Sequence, residues 1–381
     1  MIYDDLLAII SHYLKGQKAP LNPTVNLKEL YALSNRQGIG GLVYEAIKNE
    51  ISDEKLKNVW KNNYLVTMQK GMGQEALFNT IMAQANQNHL TLVCYKGSVI
   101  KYLYPNPYLR LMGDLDFGFL TSDDKKLQKM MYAEGFKKEQ FYGFHRAFVK
   151  EPYFEVEFHG SLHEDNQLSL PLYKNFITAS LPYNGDYVKI LNPNMHYLFL
   201  ITHLYQHMIK GGIGIRHFMD IYLFRKNNEI DEALVTKELA AANIAKYYEV
   251  LMQLIDRMFD GKNTLNAELY YQYLDYIFKG GIYGALDEAM REHRSLAATS
   301  NSKFKYTLRR LFPSFHDLSE QYKVLKKPLM WLLAPFFYLY RIITYFFKRK
   351  NFKDKLRFVT ADIDPKEKEF ALAIGLRIKK G

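Results

Sequence analysis

"YKGSVIKYLYPNPYLRLMGDLDFGF", from Tyr95 to Phe119, is the stretch on which the reading of this chain turns. It ends in Gly113-Asp-Leu-Asp-Phe-Gly-Phe, where apolar and polar residues alternate as on a strand. Residues two apart on a strand share a face, so Asp114 and Asp116 project together, close enough to share a cation. Burying two like charges without compensation costs far more than packing returns. Something positive is therefore expected beside them. An all-oxygen donor pair favours Mg2+ or Mn2+, with substrate phosphates completing the shell. The start of the same stretch suits such a substrate. Lys96-Gly97-Ser98 lies where an apolar run gives way to a helix-like one, a junction whose free backbone N–H groups attract anions. Lys96 adds a charge, Ser98 a hydroxyl, and Arg110 a planar fork suited to phosphate oxygens.

Outward from this stretch, the preceding residues read as helices. Apolar positions recur three and four apart at Leu6, Ile9, Ile10 and Tyr13, and an Asn cap precedes "LKELYALSNR". A long helix is expected from about Asp53 to Gln87, its two glycines lowering propensity without ending the periodicity. "LTLVCYKG" reads as a short strand, "SVIKYLYP" as a helix, and "SDDKKLQKMMYAEGF" as a helix capped by Ser122 and closed by Gly135. "KKEQFYGFHRAFVK" and "YFEVEFHGSLH" alternate like antiparallel strands. From Asn194 the chain turns helical again, with a break at Gly211-Gly212, and stays so to about residue 300.

"FEVEFHG" puts Glu155, Glu157 and His159 on one strand face. A third carboxylate beside the Asp pair is what two-metal phosphoryl or nucleotidyl transfer requires. Glu155 and Glu157 are both candidates for it, and a solvated strand face is the plainer alternative for either.

Taken together these residues resemble the polymerase β-like nucleotidyltransferase superfamily, and within it the bacterial nucleotidyltransferases that carry Lys-Gly in place of Gly-Ser. The resemblance rests on "YKGSVIKYLYPNPYLRLMGDLDF" and "VEFHGSL", and more weakly on "HLYQHMIKGGIGIRHFMDIYLF" and "LFPSFHDLSEQY". It implies that Asp114, Asp116 and Glu157 bind Mg2+ or Mn2+ and are catalytic, and that Lys96, Gly97, Ser98 and Arg110 surround the triphosphate of an NTP such as ATP. Where the family usually has aspartate in the third position this chain has Glu157, one methylene longer. Glu155, His159, His203, His207, Arg216 and Asp220 are supporting candidates. His203 and His207 are four apart on a helix without the acid of a His-Glu-x-x-His set, so a core or site-lining role is preferred to zinc. Arg216 and Asp220, also four apart, read first as a helix-surface pair and second as substrate contacts.

The implied fold is α+β, a small mixed or antiparallel sheet flanked by N- and C-terminal helical regions. The expected division is a helical region over 1–89, the nucleotidyltransferase core over 90–190, a helical domain over 191–300 and an aromatic-basic segment over 301–381. The implied activity is transfer of an NMP group to a hydroxyl or phosphate acceptor. The alternative is an inactive nucleotide-binding, membrane-surface or partner-binding module of the same fold.

Bulk composition agrees with these expectations. A hydrophobic content of 48% over 381 residues supports a folded core, and a net charge of +11 suits anionic partners. Nucleic acid is the less favoured of them, because basic and aromatic residues do not interleave before the C-terminal segment. The lone Cys94 excludes an intrachain disulfide framework and suits a reducing, cytoplasmic setting, as does an N-terminus without a positive leader region. "PLMWLLAPFFYLYRIITYFF", 328–347, is about long enough to cross a bilayer, but Arg341 and two prolines interrupt it. Packing on the helical body is the first reading, and peripheral membrane contact through 328–357 the second.

Overall fold

The computed structural model describes residues 2–151, 154–162, 168, 170–210, 213–280, 315, 318, 330–347 and 365–376. The chain divides into two compact units, one of Met1–Met208 with Gly212–Ala285, the other of Ile209–Gly211 with Leu286–Gly381.

In the first unit the helices α1 (Ile2–Leu14), α2 (Leu27–Arg36), α3 (Gly40–Ile47) and α4 (Glu54–Gln87) precede the sheet. Asn26 caps α2 through its side chain and Asp53 caps α4, which satisfies backbone N–H groups that a helix start leaves open. The sheet follows: β1 (Leu92–Cys94), β2 (Asp114–Phe119), β3 (Lys137–Tyr142), β4 (His145–Lys150), β5 (Phe154–His159), β6 (Leu181–Asn184) and β7 (Val188–Ile190). Its order is β3-β4-β5-β2-β1-β7-β6. The β2–β5 and β1–β7 pairs are parallel and the rest antiparallel, so the expected mixed α+β core is what the chain forms. A short helix α5 (Gly97–Ile100) follows β1, and α6 (Asp124–Ala133) follows β2. Beyond the sheet come α7 (Pro193–Lys210), α8 (Arg216–Asn227), α9 (Glu232–Ala241), α10 (Ala245–Asp260) and α11 (Ala267–Gly280).

Two local expectations need correction. A 3-10 turn over Thr121–Asp123 occupies the place where Ser122 was to cap α6, so the helix starts at Asp124 without a side-chain cap. The hairpin β6–β7 adds two strands that the alternation had not revealed; its turn carries Asn184-Gly185, with Gly185 at φ +70°.

The alternation of β2 sorts its side chains by face. Leu115, Phe117 and Phe119 are buried in one core with Phe78, Ile81, Met82 and Ala85 of α4 and Leu127, Met130 and Met131 of α6. Phe117 stacks between Phe78 and Phe158 at centroid distances of 5.5 and 5.4 Å. Asp114, Asp116 and Gly118 take the other face. A β-carbon at Gly118 would collide with Phe176, so this face is packed tightly where it is not charged. The flanking helices are joined through buried polar side chains. Gln37 donates to the Ile277 carbonyl (3.1 Å) and accepts from the Ile215 N–H (3.0 Å). Ser11 of α1 donates to the Phe259 carbonyl of α10 (2.7 Å).

Among the described residues no helix is long and apolar enough to cross a membrane. In the second unit a 3-10 turn over Met330–Leu333 leads into a helix over Ala334–Phe347, with Leu318 and Ala334 buried against Phe337 and Tyr338. The break expected at Gly211-Gly212, the helical continuation over 281–300, most of "LFPSFHDLSEQY", and the basic flanks at 326–327 and 348–350 lie outside the described residues.

Candidate active site

The parallel pairing of β2 with β5 puts Asp116 level with Glu157 and Asp114 level with Glu155. Asp114, Asp116 and Glu157 each offer a carboxylate oxygen, and the three lie within 4.8 Å of one another. Glu155 is on the same face one step further along the strand and stands outside this trio.

Asp116 and Glu157 are held by basic side chains of the chain itself. Lys96 Nζ lies 2.6 Å from Asp116 Oδ1, and His159 Nε2 lies 3.0 Å from the same oxygen. His159 Nε2 is also 3.2 Å from Glu157 Oε2, and His145 Nε2 is 3.3 Å from it. Burial alone would push the Asp116 carboxyl up, but Lys96 and the His159 hydrogen bond hold it below the usual range. Burial likewise opposes ionisation of Glu157, and its bonds to His145 and His159 prevail and lower it. Asp114 goes the other way: the charge of Asp116 and its own burial push it up to about 6 against the pull of Lys96.

Lys96 is fixed by its backbone as well. It has φ +57°, a region that non-glycine residues adopt only when surroundings over-determine them. Its N–H donates to Nε2 of His196 on α7 (3.0 Å). His196 is fully buried, and burial pushes it down to about 3, so the ring is a neutral acceptor. Gly97 is required for a different reason: a β-carbon there would collide with Nη1 of Arg110 and Sδ of Met112. Ser98 is buried and its hydroxyl donates to the Tyr95 carbonyl (2.9 Å), closing the turn.

Arg110 does not reach the carboxylate trio by hydrogen bond. Its Nε and Nη2 lie 3.2 and 2.5 Å from the two oxygens of Asp220, whose Oδ1 also accepts from the Tyr104 hydroxyl at 2.6 Å. Asp220 is thus a buried partner of the segment before β2, where the sequence had suggested a surface pair with Arg216. Arg216 donates to the Leu111 carbonyl (2.5 Å), so both α8 residues hold the approach to Asp114. Gln74 of α4 completes that support, donating to the Met112 carbonyl (2.8 Å) and accepting from its N–H (3.4 Å).

His203 and His207 face each other with their Nε2 atoms 3.1 Å apart, half-buried on α7 and close to His217. His203 stacks on Phe199, whose ring meets Tyr95 edge-on at 5.1 Å. Lys96 Nζ is 5.8 Å from the Phe199 centroid, so these histidines line the wall that continues from the lysine. Two residues of the site escaped the sequence reading. His145 stands across β4–β5 from His159, a register pair that only the hairpin geometry creates, and His196 is separated from Lys96 by 100 positions.

A family model described as "Uncharacterised nucleotidyltransferase" matches residues 23–260, which takes in the whole site. No curated protein and no solved structure matches the chain. With the match spanning more than half of its length, the chain belongs to this nucleotidyltransferase family.

Proposed function

We propose that this nucleotidyltransferase moves a nucleoside monophosphate from an NTP to a hydroxyl or phosphate acceptor and depends on Mg2+ or Mn2+ held by Asp114, Asp116 and Glu157. The observation that supports this reading is the convergence of three carboxylates from two adjoining strands beside a half-buried lysine. The donor set fits a hard divalent ion. It is all oxygen, and Asp114 and Asp116 are close enough that the charge of one pushes the carboxyl of the other up, a repulsion that a divalent ion between them would relieve. When bound, such an ion supplies charge neutralisation for the triphosphate and polarises the phosphoryl group.

The chain's own residues do the rest. Lys96, anchored by Asp116 and by the neutral His196, offers its ammonium to the phosphates at the edge of the trio. Arg110 supports the turn from behind, its guanidinium packed against Gly97 and fixed by Asp220. In the reaction an acceptor oxygen bonds to the α-phosphorus as the bond to the departing pyrophosphate breaks, and the acceptor proton passes to a carboxylate of the trio. A reducing cytoplasm suits the enzyme, whose single cysteine is buried.

Isothermal titration with non-hydrolysable analogues of the four NTPs, with and without Mg2+, tests the proposal. Mg2+-dependent binding of at least one nucleotide is expected, and Asp114→Ala/Asp116→Ala should weaken it by about 100-fold or more, as loss of a two-carboxylate metal site implies. Binding that is indifferent both to Mg2+ and to the double substitution would overturn it. Mg2+-dependent binding with no pyrophosphate released over a panel of sugar phosphate, nucleoside, RNA and protein acceptors would favour the binding-module alternative.

A further inference from the structure

We propose that His145, Glu157 and His159 form a second metal position in this pocket, one that takes a borderline divalent cation of the zinc type in preference to Mg2+. The catalytic use of this ion rests on the nucleotidyl-transfer reading, but its binding does not.

The antiparallel register of β4 and β5 pairs His145 with His159 and Ala147 with Glu157, which sets all three side chains on the sheet face that carries the Asp pair. Both imidazole Nε2 atoms converge on one oxygen, Glu157 Oε2, at 3.3 and 3.2 Å. Bonds of about 2.05 Å from tetrahedral ligands to Zn2+ require donor atoms about 3.3 Å apart. The two separations thus match edges of such a polyhedron already built into the strands. The rings are inclined at 60° with centroids 4.9 Å apart, so they approach the oxygen from different directions instead of stacking. His145 is 5% exposed and His159 14%, so an ion between them would lose most of its water and be held by the protein. Asp116 Oδ1, 3.0 Å from His159 Nε2, is within reach as a further donor.

Donor chemistry separates this position from the carboxylate trio. Two nitrogens and one oxygen suit Zn2+ or Co2+, while Mg2+ demands oxygen and keeps its water. Glu157 belongs to both sets, with an imidazole side and an aspartate side. Its side chain, one methylene longer than that of aspartate, reaches the imidazoles of two strands. The same contacts would serve as a plain hydrogen-bond network if no ion enters, and that is the outcome the experiment must separate.

Co2+ is the probe, because its visible absorption reports nitrogen ligation directly, with Zn2+ retention after dialysis as a second readout on the full chain. Wild-type protein is expected to bind one Co2+ with ligand-field bands that Zn2+ abolishes and millimolar Mg2+ does not. His145→Gln and, independently, His159→Gln should weaken Co2+ binding by at least about 100-fold, since even supporting contacts of a metal ligand can be worth that much. Circular dichroism checks that each variant is folded. Asp114→Asn should retain the Co2+ spectrum while losing Mg2+-dependent nucleotide binding. A folded wild-type protein that holds neither Co2+ nor Zn2+, or a Co2+ spectrum that survives both histidine substitutions, would overturn the second position. Nucleotide binding that ignores Mg2+ beside an intact Co2+ spectrum would count against the proposed function alone.

Discussion

The carboxylate of Asp220, 3% exposed, receives two guanidinium nitrogens of Arg110 and the hydroxyl of Tyr104. Removing it strands a charge that is itself almost out of water, with a side-chain exposure of 9%. Breaking such a pair from one side costs about 3–5 kcal/mol. Asp220→Ala is therefore expected to lower unfolding stability by that order in urea titration, and Asp220→Asn, which keeps an acceptor for the guanidinium, by clearly less. Equal losses in the two variants would mean that packing, not charge, decides the contact. At this scale the sequence was legible where spacing is local. The Asp-x-Asp and Glu-x-Glu-x-His alternations define their faces without help. Arg110 and Asp220 are 110 positions apart, and no periodicity links an arginine before a strand to an acid on a distant helix. The spacing of Arg216 and Asp220 pointed instead to the nearer, wrong partner for Asp220. His145 was missed for the same reason, because its place opposite His159 depends on the length of a turn.

Among the elements, α4 shows a propensity argument reversed by packing. Gly71 is buried in mid-helix, and replacing glycine by alanine there would ordinarily gain about 1 kcal/mol. A β-carbon at Gly71 would collide with the backbone of Tyr108, in the 3-10 turn Pro107–Leu109. Backbone yields less readily than a side chain, and overpacking costs about 1–3 kcal/mol. Gly71→Ala is thus expected to destabilise by a net of up to about 2 kcal/mol, read as a lowered urea midpoint; a raised midpoint would show that the turn can move aside. Because that turn leads directly into the segment held by Gln74, the glycine also sets where β2 begins. The long helix and its limits were readable from caps and apolar spacing. The purpose of its glycine was not, since the colliding atom belongs to another element. The β6–β7 hairpin was readable in principle from Asn184-Gly185, but "LPYN" and "VKI" are too short for alternation to stand out.

In the molecule as a whole, the helices before the sheet and those after it share one interior. Gln37 is fully buried and bonds to Ile215 and Ile277, which lie 178 and 240 positions away. Gln37→Leu would leave the buried Ile215 N–H without this acceptor, at about 1–3 kcal/mol, and take a donor from the Ile277 carbonyl. The expected result is an unfolding free energy lowered by at least about 1–3 kcal/mol, read as a lower urea midpoint with unchanged slope and one transition, because the first unit unfolds together. Separate transitions for the flanking helices and the sheet would refute that coupling. The mixed sheet core with helices around it was legible from the order of the periodic segments. Their mutual attachment was not, because it runs through isolated polar residues that look like surface positions in the sequence. The bond from Ser11 to Phe259 has a practical consequence. The region of sequence similarity begins at residue 23, after the helix that Ser11 belongs to. A fragment trimmed to 23–260 for expression would lose Leu6, Ile9 and Ile10, all fully buried, and bare the apolar side of α10 that they help to cover. The limits of kinship in this chain are drawn inside its architecture, so a soluble working fragment has to be cut by burial, not by alignment.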